Sequence, residues 1–139
     1  MRSTSPSLEA VEKDTLRKIA SLEQRLRARE GPEKRPLALA KGVQKLKRAA
    51  YHARRARAPG SHPLEAGLLR ISARIERHGL VPELAGDLRS IIGAAVAVEA
   101  ETGEPVAQRI ATAVDWFEKP HARSRSHSSG RPAQRVLGA

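Results

Sequence analysis

The sequence predicts an all-α protein, and three observations predict it. Aromatic residues make up only 2% of the 139 residues, and runs of β-branched residues are few, whereas strands favour both. Apolar residues recur three and four positions apart through most of the chain, which is the spacing of one helix face. Gly and Pro separate these periodic stretches and mark where helices stop and start. The length suits one domain, or one domain with arms.

Five helical segments follow in order. The first runs from about Ser7 to Glu30. Ser7 is a suitable N-cap after Pro6, and Glu9 and Glu12 favour the positive end of the helix dipole. Its stripe of Leu8, Val11, Thr15, Ile19, Leu22 and Leu26 has heptad spacing over about three heptads. That length fits either a hairpin partner or a short dimeric coil, so Leu8, Ile19, Leu22 and Leu26 are candidate interaction residues and a homodimer is one expectation. Gly31-Pro32 stops the segment. The second runs from Pro36, suited to a first helical turn, to about Ala58. Leu39, Val43, Leu46, Ala50 and Ala53 form its stripe. The short connection predicts that these two helices form an antiparallel hairpin over residues 7–58, stripe against stripe.

The third segment, about Pro63 to His78, presents Leu64, Leu68, Ile71 and Ile75 on one face. Gly79 followed by apolar Leu80 reads as a left-handed C-terminal cap with its hydrophobic contact. The fourth, about Pro82 to Thr102, has the widest apolar arc and is expected to be the most buried helix. Its Gly86 and Gly93 are expected to let a neighbour approach closely. Gly103 closes it. The fifth, from Pro105 to about Lys119, turns Val106, Ile110, Ala113, Val114 and Phe117 inward. Residues 63–119 are therefore expected to form a three-helix unit. Residues 1–6 read as a flexible start. Residues 120–139, rich in Ser and Arg, read as a disordered basic tail because they offer too little apolar surface to offset the entropy of ordering.

Charge is distributed unevenly over this frame. The net charge is +11. Residues 32–59 hold nine Lys or Arg against one acid, residues 60–119 hold six against nine, and residues 120–139 hold four against none. At 100° per residue, Lys41, Lys45, Arg48, His52 and Arg55 fall within about 80° of one another, opposite the apolar stripe. Lys47, Arg54 and Arg57 flank them. A helix face of this kind replaces condensed counterions on a phosphate backbone, and Arg can fork onto two phosphate oxygens. These eight residues are the candidate nucleic-acid-binding site. Duplex DNA or structured RNA is the expected partner, because the few aromatics, Tyr51, Trp116 and Phe117, cannot build the stacking platform that single-strand binders use. Tyr51, the one aromatic in the basic segment, either stacks on a base or fills the hairpin edge, and the second reading is preferred. The competing reading is an adaptor or inhibitor that docks the same face on an acidic protein surface.

Other chemistry finds little support. There is no cysteine, which removes disulfides, thiolate metal sites and thiol nucleophiles. No phosphate-binding glycine loop, nucleophile elbow or paired-histidine spacing is present, so neither catalysis, a metal nor a cofactor is expected. Glu99, Glu101 and Glu104 read as solvated surface at a helix end. Gln108, Arg109 and Lys119 on the fifth helix are accompanied by Asp115 and Glu118, a poor groove-reading set. Trp116 is a candidate contact residue if it is exposed. No uncharged stretch approaches the length of a membrane span. No apolar leader follows Met1, so a cytoplasmic protein is expected, or a nucleoid or nuclear one if it holds nucleic acid.

Overall fold

A computed structural model describes residues 7–118. The expected tail at 120–139 and the flexible start at 1–6 lie outside them. Among the described residues there are five α-helices and no strand: α1 Leu8–Arg27, α2 Pro36–Ala56, α3 Ser61–His78, α4 Glu83–Thr102 and α5 Val106–Glu118. The predicted caps hold. Ser7 Oγ accepts the amide of Ala10 at 3.1 Å, which satisfies one of the free N–H groups at the start of α1. Pro36 opens α2. Gly79 ends α3 at φ +83° and donates its N–H to Ile75 O at 2.8 Å, with Leu80 fully buried behind it. Gly103 ends α4 at φ +82°.

The partnering of these helices differs from the expected hairpin plus three-helix unit. α1 does not pack on α2. It packs on α4 and α5, while α2 packs on α3 and α5. The helices form a ring in the order α1–α5–α2–α3–α4, with α4 also touching α5 and α2. Directions follow from side-chain pairs. Lys18 meets Asp115 at 2.6 Å and Ser21 donates to Glu118, so α1 and α5 run parallel. Gly42 near the start of α2 faces Phe117 at the end of α5, so those two run antiparallel.

α5 causes the difference. It buries Val106, Ala107, Ile110, Ala113, Val114 and Phe117, and its main packing partners are α1 and α2. Inserted between α1 and α2, it is covered by both. α4, expected to be the most buried, leaves Gly86, Arg89, Ser90, Gly93, Ala94 and Ala97 exposed. A Cβ on Gly86 would meet nothing within 4 Å, and one on Gly93 would approach only Glu12. The close approach is instead at Gly42, where a Cβ would overlap the Phe117 ring. The inner surface of α2 is mostly Ala and Gly, which lets α5 come near enough for that ring to be completely buried. Truncating such a ring costs about 3–5 kcal/mol.

Residues 28–35 must then cross the end of α5 to connect α1 with α2. They are held there by polar contacts. Glu33 exchanges both backbone hydrogen bonds with Leu80, each 2.9 Å, tying this loop to the α3–α4 turn. The Glu33 carboxylate is buried and accepts from Arg25 at 2.7 Å and Arg35 at 3.3 Å, with Arg29 at 3.6 Å. Arg25 also donates to the carbonyls of Phe117 and Glu118, each at 2.8 Å, and Arg35 to that of Phe117 at 3.3 Å. Cations there complement the negative end of α5 and satisfy carbonyls that have no partner inside the helix. At the other end, buried Glu99 of α4 accepts the amide of Ala107 at 2.9 Å and that of Gln108 at 3.3 Å. It caps the start of α5 from a neighbouring helix.

Candidate nucleic-acid interface

The ring leaves one face of α2 uncovered. Exposed along α2 are Pro36, Leu37, Ala40, Lys41, Gln44, Lys47, Arg48, Tyr51, Arg54 and Arg55. At 100° per residue, Leu37, Lys41, Gln44, Arg48, Tyr51 and Arg55 form one outward strip about 80° wide. The predicted basic face is therefore present but turned. Lys45 and His52 fall on its half-buried flank, and Lys47 and Arg54 on the opposite one.

Two acids from the acidic half of the chain reach this face. Glu76 of α3 takes Lys47 at 3.0 Å. Glu104, ahead of α5, takes His52 Nδ1 at 2.9 Å and Arg55 at 3.5 Å. The hydrogen bond from His52 and the nearby Arg55 guanidinium hold the Glu104 carboxyl below the usual glutamate range, against the smaller effect of burial. Lys41, Lys45, Arg48, Arg54 and Arg57 have no acidic partner among the described residues. The remaining acids that face other helices serve them: Asp115 pairs with Lys18, Asp87 with Arg74 at 2.7 Å, and Glu23 with Arg89.

Arg57 terminates α2 at φ +53°, the one non-glycine residue in the left-handed region among those described. Gly usually takes this position, because a Cβ there is strained. The chain places a cation instead, and Arg57 with Arg54, His62 and the acid Glu65 borders an open depression beside the start of α3.

Tyr51 is half exposed, at 50%, and not buried at a hairpin edge as the sequence suggested. The hairpin that would have covered it does not form. The Arg48 and Arg55 guanidiniums stand 5.9 and 5.8 Å from its ring centroid. The His52 ring meets it edge-on at 5.2 Å. Gln44, Lys45, Lys47, Arg48 and Tyr51 line a depression of about 420 Å³.

The other candidate residues lie elsewhere. Ile19, Leu22 and Leu26 are buried in the core and Leu8 packs against it, so the α1 stripe is covered by α4 and α5 of the same chain and is not free to form a coiled-coil dimer. Trp116 is half-buried, not an exposed anchor. Gln108 is committed to Glu99 and α5 is inside the bundle, which leaves no groove-reading helix there. Sequence reasoning missed Glu99, placed among the solvated acids, and the Arg25–Glu33–Arg35 clasp. The one signal for the clasp is Glu33 itself, the lone acid in residues 32–59. Among the described residues no helix is long and apolar enough to cross a membrane.

No protein-family model, curated protein or solved structure matches this chain.

Proposed function

We propose that the protein is a non-enzymatic nucleic-acid-binding or regulatory protein that grips a phosphate backbone with the outer face of α2. The observation that carries this reading is the set Lys41, Lys45, Arg48, Arg54 and Arg57, which form no ion pair among the described residues although the acidic half of the chain packs around the same helix. From Lys41 to Arg57 the rise is about 24 Å at about 1.5 Å per residue. Over that length a duplex presents many phosphates, at one charge per about 1.7 Å of axis. Contacts of this type position a nucleic acid without reading its sequence.

The test is titration of duplex DNA and of structured RNA across about 50–300 mM salt. Affinity should fall steeply and linearly on logarithmic axes. Replacing Lys41, Lys45 and Arg48 together with Gln should flatten that slope by about 2.7, which is three contacts at about 0.9 each. Binding that is absent, or insensitive to salt, would sink the reading.

An acidic protein surface is the second reading. Leu37, 60% exposed, and Tyr51 lie on the same strip as the cations, and interfaces combine apolar and aromatic anchors with Arg. One stoichiometric protein partner retained after nuclease treatment would favour it.

A further inference from the structure

We infer that the α2 face takes a nucleic acid carrying an unpaired nucleotide, whose base stacks on Tyr51 while the backbone on either side is held by cations. This rests on the phosphate-binding reading above and adds the form of the ligand. Three observations point to it. Tyr51 is exposed partway along α2, with Lys41 and Arg48 before it on the same outward strip, Lys45 on the flank, and Arg54 and Arg57 after it toward the helix end. Phosphate contacts therefore flank the ring on both sides along the helix. The depression beside the ring combines an aromatic surface, three cations and the uncharged Gln44 amide, which can both donate to and accept from a base edge. Lys47 in that rim is paired with Glu76, so the unpaired charge there belongs to Lys45 and Arg48.

A regular duplex has no use for such a ring, since its base faces are closed within the stack. A bulge or loop exposes one. The guanidiniums near Tyr51 do not block entry. An exposed cation–π contact is weaker than a base–aromatic stack, so an entering base can displace one guanidinium from the ring toward its own phosphate. A single exposed ring in the basic segment serves one unpaired nucleotide, not a run of single strand. The stacking chemistry is common to RNA and DNA.

The experiment uses the full chain and hairpins closed by a non-nucleotide linker, which differ only by one bulged nucleotide, in RNA and DNA versions, with 2-aminopurine as the bulged base. Wild type should bind the bulged form about tenfold more tightly than the fully paired one and quench the 2-aminopurine fluorescence. Tyr51→Phe should keep both effects. Tyr51→Leu should lose both, while still binding the paired hairpin with the wild-type salt slope. An RNA-only or DNA-only preference for the bulge identifies the source of the nucleotide and supports the inference either way. Equal weakening of bulged and paired hairpins by Tyr51→Leu would mean that the ring merely orients Arg48 and Arg55. That outcome overturns the inference and leaves the backbone reading intact. Loss of salt-dependent binding to every hairpin would overturn the backbone reading itself. The residue is half exposed, so these variants should melt as wild type does.

Discussion

Two groups of cations stand close together in sequence and are used in opposite ways. Arg25, Arg29 and Arg35 surround one buried carboxylate, and two of them also donate to the last carbonyls of α5. Lys41, Lys45, Arg48, Arg54 and Arg57 begin only a few residues later and have no acid among the described residues. Residue type does not separate the groups, since both contain arginine. What separates them is the crossing of the α1–α2 loop over a helix end. That crossing brings carbonyl oxygens and Glu33 within reach of the first group. Among the described residues no acid comes within ion-pairing distance of the second, although Glu65 borders the same depression as Arg54 and Arg57. Cation density along a sequence therefore overstates the binding surface wherever helix ends are buried nearby.

The comparison can be broken most severely at Glu33. Glu33→Gln leaves Arg25 and Arg35 facing each other without a buried countercharge, and should cost roughly 2–4 kcal/mol. Urea denaturation should show a lower midpoint at unchanged slope. The same residue carries a pH signature. Burial pushes the Glu33 carboxyl up, but the hydrogen bonds and charges of Arg25 and Arg35 outweigh it and hold the carboxyl below the usual range. A depressed folded-state value contributes stability at pH above the unfolded value, and that stability is lost as pH falls through the folded one. Wild type should therefore lose stability as pH falls below the ordinary glutamate value of about 4.3. The Gln variant should lose less. A variant as stable as wild type, with the same acid dependence, would refute a structural role for the clasp.

Gly42→Ala comes next. The added methyl meets the Phe117 ring, and overpacking of this kind costs about 1–3 kcal/mol. Calorimetric melting reads it. The outer side of the same helix should respond differently: the Lys41, Lys45 and Arg48 triple variant should change stability by less than about 0.5 kcal/mol per position while losing affinity. If the triple variant unfolds, the separation between inner and outer α2 is wrong.

The smallest effect should come from Arg57→Gly. Relief of the left-handed backbone should stabilise the fold by about 1 kcal/mol. Loss of one phosphate contact should lower the salt slope by about 0.9. A gain in stability with no change in slope would remove Arg57 from the interface and keep the other cations.

Much of the local structure is legible in the chain. Ser7, Pro36, Gly79 and Gly103 act as the caps and starts that their chemistry implies, because capping depends on neighbours within a few residues. The apolar stripes name most buried positions of α1, α3 and α5 for the same reason, whereas the α2 stripe omits the buried Ala38, Gly42 and Ala49. The candidate site was partly legible. Its helix and its cations follow from periodicity and composition, but its outward direction does not. His52 and Arg55 turn to Glu104, and Tyr51 turns out to be exposed.

Partner choice among helices is where the sequence stops. The stripe of α1 fits α2 as well as it fits α4 and α5, since burial of apolar surface is non-directional. Only the folded arrangement chose. α5 packs on both α1 and α2 and so lies between helices that are neighbours in sequence. The sequence by itself determined five helices, their ends and a concentration of positive charge on the second. The tertiary structure decided which of those charges are consumed by buried carbonyls and carboxylates and which are left facing outward. Charge pairing depends on distances between elements, and those distances exist only once the bundle has closed.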